Sequence, residues 1–359
     1  MLSNKIFDDV NASRYKVFYH ALFHDFETLP RVANAVMQDK TLFPCGKEFL
    51  KLALQGRELK KLVKDLVDYI LEDASENYHD DHGYSYLHGA CMTGNVAAVL
   101  RFTSQGADVA LDNYEYSPLH IAVQYKNTEI VEILLKHGAN PNRRDGNQST
   151  PLHRLVQVQR CLCECDYGCL SCADKKPADE IVAMLTKSGA NIEARNYFGD
   201  TPLQAAVSRF NVDLTRLLLQ HGATLSSLSE RKMFNRYFSR AEIKNYPLTA
   251  NIIKVVQLLQ SAGYKLDLYS RLDMIRCWMK ARENSKLDDE STVNFLIRPH
   301  LELFAADLFM TDYCTLHLPY VACRKVAEHM SDEDLFRLYK NTEEDNLRSL
   351  PRPKRRRIL

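Results

Sequence analysis

The chain has 359 residues, 45 % of them apolar, and its 47 basic and 46 acidic side chains leave a net charge of +1. That length suits two or three domains or one extended array, and no run of about 18 apolar residues marks a membrane span. The charge is uneven: residues 347–359 carry six basic side chains and no acidic one, so the remainder stands at −5 and does not read as a general nucleic-acid binder. The opening residues MLSNKIFDDV lack the apolar core of a signal peptide. The ten cysteines are therefore expected as reduced thiols, with metal binding as the exception to weigh.

Residues 1–81 predict helices. Tyr15, Phe18, Tyr19, Phe23 and Phe26 suggest one aromatic-rich helix, and Pro30, Pro44, Gly46 and Gly56 mark breaks after it. Leu59, Leu62, Val63, Leu66, Val67, Ile70 and Leu71 then recur at helical spacing. The expected role of this segment is a helical N-terminal cap. His79-Asp80-Asp81-His82 reads as a solvated loop rather than a metal site.

From residue 82 a unit recurs. Ser85-Tyr86-Leu87-His88, Ser117-Pro118-Leu119-His120, Thr150-Pro151-Leu152-His153 and Thr201-Pro202-Leu203-Gln204 are helix starts; Gly106-Ala107, Gly138-Ala139, Gly189-Ala190 and Gly222-Ala223 are helix ends. In the second copy Ser117 can cap a helix whose first turn accepts Pro118, since proline's missing N–H costs nothing there. Lys126-Asn127 breaks that helix, Thr128 is expected to cap the next, and Ile130, Val131, Leu134 and Leu135 form its apolar stripe. Gly138 suits a left-handed helix end. Leucine to leucine, the steps are 32, 33 and 51 residues. A single hairpin of this kind cannot bury its apolar faces, so the copies must stack.

The period, cap, proline and glycine together resemble the ankyrin repeat, whose period is about 33 residues with a T-P-L-H signature. The copies lie at about 82–113, 114–145, 146–196 and 197–230. The resemblance implies an all-α fold, a solenoid of helix-turn-helix repeats with β-hairpin tips. Tyr86 replaces the family's proline and Gln204 its histidine. His88, His120 and His153 recur at one repeat position and therefore read as histidines of the fold, not catalytic bases.

The long third step comes from 18 extra residues at about 158–177, between the two helices of the third copy. They include Cys161, Cys163, Cys165, Cys169 and Cys172. Five thiols within twelve residues could supply four sulfurs to zinc, yet the spacing is not the usual pair of C-x2-C knuckles. A zinc site and a mobile thiol-bearing loop both stand open, and no cofactor is required by either helix pattern. Lengthening a surface loop costs only about 0.6 kcal/mol per doubling, so the stack tolerates the insert.

Residues 231–313 predict an irregular helical region. Ile252, Ile253, Val255, Val256, Leu258 and Leu259, ended by Gly263, suggest a degenerate repeat, and Leu272, Ile275, Trp278 and Met279 another helical face. Val293–Ile297 and Leu301–Phe309 read as two helices parted by Pro299. In residues 314–341, Pro319 opens a helix with apolar positions Ala322, Val326, Ala327 and Met330; Ser331 and Asp334 have capping-box spacing for the next, carrying Leu335 and Leu338. The pattern resembles an F-box that ends early at Thr342-Glu343-Glu344, and its place behind ankyrin repeats resembles the PRANC family. Val321 stands where the F-box has an acidic residue, and Met330 where it has leucine. The resemblance implies that Leu318, Pro319, Val326, Met330 and Leu335 anchor a Skp-type adaptor of a cullin–RING ubiquitin ligase, with Val326 and Leu335 also joining the two helices. Residues 342–359 form a basic tail expected to be disordered. Lys354, Arg355, Arg356 and Arg357 resemble a nuclear import signal, implying importin as a partner and a distribution between nucleus and cytoplasm.

No phosphate-binding glycine loop, H-E-x-x-H or G-x-S-x-G motif occurs. The expectation is a binding protein and not an enzyme, with no membrane or specific nucleic-acid partner. The ankyrin resemblance implies that hairpin tips and inner helices face a target protein. Those tips hold Tyr114, Tyr116, Arg143, Arg144, Arg195, Tyr197 and Phe198, of types enriched at interface hot spots. Two functions compete: an adaptor carrying a bound target to a ligase, and a stoichiometric inhibitor, similar to IκB, that masks a transcription factor.

Overall fold

The computed structural model describes residues 85–110, 116–156, 178–235, 247–284, 290–310 and 319–344, together with positions 68, 71, 72, 74, 77 and 238. The chain divides into two compact units, Met1–Ala206 with Asp213–Ser227, and Val207–Val212 with Leu228–Leu359.

Through residue 220 the helices follow one another in pairs: α1 (Tyr86–Thr93) with α2 (Val96–Ser104), α3 (Pro118–Gln124) with α4 (Thr128–Lys136), α5 (Pro151–Arg154) with α6 (Asp179–Lys187), and α7 (Pro202–Ser208) with α8 (Val212–Gln220). First helices pack on first helices, α1 on α3 and α3 on α5, and second on second, α2 on α4 and α4 on α6. The seams are the residues that the period picks out. Leu87, Leu119 and Leu152 are buried along one, and Ile130, Val131, Leu134, Ile181, Val182 and Leu185 along the other. Burying each such side chain is worth about 2 kcal/mol, and it is available only to a stacked copy.

The pair ends share one geometry. Gly106, Gly138, Gly189 and Gly222 have φ of 83°, 87°, 87° and 90°. The alanine after each sends its N–H back across the last turn: Ala107 to the Phe102 carbonyl (2.9 Å), Ala139 to Leu134 (3.0 Å), Ala190 to Leu185 (2.9 Å) and Ala223 to Leu218 (3.0 Å). A Cβ at any of these glycines would meet nothing within 4 Å, so it is the left-handed backbone, not space, that requires glycine.

Two local expectations are corrected. Thr128 is the first residue of α4 and Asn127 holds the cap position. The Asn127 amide instead donates to the Cys91 carbonyl of the preceding pair (2.7 Å), so it ties copies together. The tips form no strand among the described residues; those at 145–149 and 196–200 are side-chain-stapled turns. Ahead of α1, Asp68 accepts from Thr93 Oγ1 (3.1 Å) and Asn95 Nδ2 (2.9 Å), Arg101 donates to the Leu71 carbonyl, and Leu71 is buried. The end of the upstream apolar stripe thus lies against the first pair. The rest of residues 1–81 is outside the described residues.

The second unit holds α9 (Glu230–Phe234), α10 (Leu248–Ser261), α11 (Leu268–Asn284), α12 (Glu290–Phe309), α13 (Tyr320–His329) and α14 (Asp332–Glu344). α10 ends as the repeats do: Gly263 has φ 95° and Tyr264 N–H returns to the Leu259 carbonyl (2.9 Å). α12 is one helix through Pro299, not two. An internal proline costs about 3 kcal/mol, but Ile297, Leu301, Phe304, Ala305 and Leu308 on either side of it are all fully buried and offset that cost. α14 also runs past the expected stop, with Thr342 buried. Its Phe336 stacks on Trp278 of α11 (6.3 Å, 18°) and its Tyr339 meets Phe304 of α12 edge-on (6.4 Å, 68°). Among the described residues no helix is long and apolar enough to cross a membrane.

Candidate protein-binding surface

Two neighbouring tips of the first unit are built alike. In the tip between α4 and α5, Asp145 Oδ1 accepts the N–H groups of Asn147 and Ser149, both at 2.8 Å, and Asp145 N–H donates to the Ser149 carbonyl (2.9 Å). In the tip between α6 and α7, Asn196 Oδ1 accepts from Phe198 and Asp200, both at 3.0 Å, and Asn196 N–H donates to the Asp200 carbonyl (3.0 Å). An Asx side chain closing its own turn is the preferred chemistry for such a bend. The fourth residue is left-handed in both, Gln148 at φ 57° and Gly199 at 74°.

The tips are also joined to each other. Tyr197 N–H donates to the Asn147 carbonyl (2.8 Å), and Arg144 Nη1 donates to the Arg195 carbonyl (3.0 Å). Asn142 accepts from Asn191 N–H (2.6 Å) and donates to the Gly189 carbonyl (2.8 Å). One copy later Glu193 accepts from Thr224 N–H in the same manner (2.6 Å). The surface is therefore held by a backbone-directed lattice rather than by loop packing.

Beneath it lies a buried charge pair. Asp145 Oδ2 accepts from Arg154 Nε (2.8 Å) and Nη2 (2.5 Å), and the Arg154 guanidinium lies 4.2 Å from the centre of the Tyr116 ring. Both charges are shielded from water, and the fork-shaped bidentate geometry is the one that compensates burial best. Tyr116 is thus a supporting residue, half-buried under Arg154. The sequence reading missed Asp145 and Arg154; an aspartate two residues before an asparagine at a tip and an arginine just after Thr-Pro-Leu-His were the available signals.

The histidines link each pair to the next. The Nδ1 atoms of His88, His120 and His153 accept the N–H of Ser85 (3.0 Å), Ser117 (3.3 Å) and Thr150 (3.1 Å). Their Nε2 atoms donate to the carbonyls of Tyr116 (2.7 Å), Ser149 (3.1 Å) and Asp200 (2.9 Å), each just ahead of the following helix start. Burial lowers the pKa of His120 to about 4 and lowers that of His153 as well. Both rings work as neutral imidazoles with fixed tautomers, which suits scaffolding and not proton transfer.

On this frame Tyr197 and Phe198 are 76 % and 63 % exposed, in an edge-to-face pair with centroids 5.6 Å apart. Arg144 and Arg195 are exposed and Arg143 half-buried. Of the predicted contact residues, the structure brings Arg143, Arg144, Arg195, Tyr197 and Phe198 onto adjacent tips. Tyr114 lies outside the described residues.

The second unit carries the other predicted site. On α13, Cys323 and Ala327 are buried, whereas Val321 is 68 % and Val326 44 % exposed, with Tyr320 and Pro319 also exposed. Val326 is thus partly on the surface, whereas Leu335, 1 % exposed, is a core residue that offers no free surface. Met330 is half-buried. The turn between α13 and α14 is held by Arg298 of α12, which donates to the Met330 carbonyl (2.9 Å) and to Asp332 and pairs with Glu302 (2.8 Å). Ser331 Oγ accepts from Asp334 N–H (3.1 Å), as the capping-box spacing predicts. Leu318, the cysteines 161–172 and Lys354, Arg355, Arg356 and Arg357 lie outside the described residues. Among the described residues no three metal-ligating side chains cluster.

Comparison with known proteins bears on the first unit. Residues 50–145 match the model for ankyrin repeats (3 copies) and residues 169–224 that for ankyrin repeats (many copies), so the chain contains ankyrin repeats. It is similar to the B-cell lymphoma 3 protein homolog of Mus musculus, 29 % identical over 201 residues, covering 53 % of this chain and 40 % of the relative. It is similar to NF-kappa-B inhibitor alpha of Homo sapiens, 29 % identical over 194 residues (49 % and 56 %). It is also similar to ankyrin repeat and SOCS box protein 6 of Homo sapiens, 27 % identical over 255 residues (57 % and 57 %). The chain thus spans between 40 % and 57 % of the length of these relatives.

Proposed function

We propose that this chain is a two-ended binding adaptor. Its ankyrin repeats hold a target protein at the tips bearing Arg143, Arg144, Arg195, Tyr197 and Phe198, and its F-box-like helices recruit a Skp-type adaptor of a cullin–RING ubiquitin ligase. Ankyrin repeats are protein-binding modules, and that much stands on the family match. The observation that carries the second half is α13, a helix whose one side is in the core at Cys323 and Ala327 while Val321 and Val326 remain on the surface. Exposed aliphatic side chains on an F-box-like sequence are the kind of surface that a helical adaptor would cover. A relative whose name joins ankyrin repeats to a SOCS box supports the two-part plan.

Co-purification tests it. Val321→Glu with Val326→Glu leaves the core of the second unit untouched, so the protein should fold, keep its target and lose the Skp-type adaptor. Two desolvated anchors of about 2 kcal/mol each correspond to roughly 10³-fold in affinity. Adaptor binding that survives this change would sink the ligase reading.

A second reading has its own support. One relative is named NF-kappa-B inhibitor alpha. On this reading the chain masks a transcription-factor surface stoichiometrically, and α13 is only the outer face of a structural cap. Absence of any Skp-type adaptor from a complex that still contains the target would favour it.

A further inference from the structure

We infer that the paired tips at residues 143–147 and 195–199 recognise an acidic segment of a partner protein, in which carboxylates flank an apolar side chain. This rests on the reading of the tips as the target site and adds the chemistry of what they take. Arg144 and Arg195 are exposed, and each is aimed by one bond to a backbone carbonyl, Arg144 to Arg195 (3.0 Å) and Arg195 to Gly199 (2.9 Å). Neither pairs with a carboxylate among the described residues. A guanidinium already oriented, with donors left over, accepts a carboxylate in fork-to-fork geometry at little entropic cost.

The exposed charges on the two tips are cationic, Arg144 and Arg195, while the tip acid Asp200 and the nearby Glu193 are half-buried. The acid on the first tip, Asp145, is buried and neutralised by Arg154, and Glu193 accepts the Thr224 N–H. The surface therefore presents cationic heads on a body that is otherwise net negative. Tyr197 and Phe198 supply the apolar part. Their rings are exposed, yet the Asn196 turn and the Tyr197–Asn147 bond fix the backbone beneath them, so little order must be acquired on binding. A nucleic acid fits less well: a phosphate chain needs a row of cations along its path, and the net charge of the remaining chain repels a polyanion at a distance.

The test is fluorescence anisotropy on the full chain with three labelled probes. One is a short peptide of Glu and Asp around a central Phe-Leu, the second the same peptide with Gln and Asn, and the third oligo-dT of similar length. The acidic peptide should bind and the neutral one should not. Arg144→Glu with Arg195→Glu, and separately Tyr197→Ser with Phe198→Ser, should each weaken the acidic peptide at least about tenfold. Circular dichroism should not change and the melting midpoint should fall by only a few degrees, because all four side chains are exposed and each arginine gives up a single surface hydrogen bond. Equal binding of the neutral peptide, an unchanged affinity after charge reversal, or preference for oligo-dT would overturn the inference. So would failure of the acidic peptide alongside a captured target that is still lost on Tyr197→Ser with Phe198→Ser; that result keeps the tips as the target site and rejects only the acidic chemistry.

Discussion

Mild acid should loosen the repeat array through its buried histidines. His120 is completely buried; its Nδ1 accepts from the Ser117 N–H and its Nε2–H donates to the Ser149 carbonyl. Protonation would replace the accepting nitrogen by a second donor and place a cation in the core. The surrounding charges partly cancel: Asp145 favours the cation, and Arg154 and Arg143 oppose it. Burial dominates and lowers the folded pKa to about 4 from 6.5. The sign follows. A histidine depressed in the folded state is protonated more readily when unfolded, so its stabilisation is complete above pH 6.5 and declines as the pH falls toward 4. Summed over that window the linkage is about 3 kcal/mol, and a drop from pH 7.5 to 5 alone removes about 2 kcal/mol. His153 is depressed for the same reason and adds with the same sign.

Urea melts followed by circular dichroism at half-unit steps from pH 7.5 to 4.5 would measure this. A loss of about 2 kcal/mol corresponds to a fall of roughly 5 °C in melting midpoint for a unit of this size. The informative variant is His120→Gln, because the fourth copy already uses Gln204 at the equivalent position. It should cost about 1 kcal/mol at pH 7.5 and flatten the slope between pH 6.5 and 5. A flat wild-type profile, or a variant with the wild-type slope, would refute the account and place the acid sensitivity in other groups.

Three further outcomes are expected. Gln148→Gly should raise stability by about 1 kcal/mol in the same urea assay, since a side chain now occupies a left-handed position that Gly199 fills in the next tip. Replacing Cys161–Cys172 by a short Gly-Ser link should leave the melting midpoint nearly unchanged; one bound zinc in the purified protein with collapse on chelation would show metal-coupled folding instead. Substituting Lys354, Arg355, Arg356 and Arg357 by alanine should shift the protein toward the cytoplasm on microscopy without altering its circular dichroism, and unchanged nuclear entry without a carrying partner would remove the import reading.

The legible part of this fold is the part that each residue dictates alone. Gly138 demands a left-handed backbone, Pro118 a first-turn position and Leu119 a neighbour to bury against, so period and boundaries follow from local sterics plus stacking. Pro299 shows the limit. Its local penalty reads as a break, but buried neighbours on both sides outweigh it, and that balance depends on helices distant in sequence. Leu335 fails as a surface anchor for a related reason: helical spacing puts it on the apolar side of α14 without telling a core position from a free one.

The tips were legible as residues and illegible as a structure. Arg144, Arg195, Tyr197 and Phe198 could be named from the repeat register and their residue types, yet what orients them is distributed over three elements. Asp145 closes one turn, Arg154 of α5 answers its charge, and the Tyr116 ring ahead of α3 packs against that cation. The neighbouring tip makes the same turn with neutral Asn196 and has no need of a buried arginine. Since the neutral version suffices to close the turn, closing it cannot be the reason for the charged one. Turning Asp145 to asparagine would leave Arg154 a buried cation without its counter-ion, at a cost of about 3–5 kcal/mol, so acid and base are held as a unit. The unit fixes Arg154 against Tyr116 below the surface and so fixes the tip from which Arg143 and Arg144 extend. The tip whose turn is closed by a buried charge pair thus also carries two of the three arginines of the proposed surface.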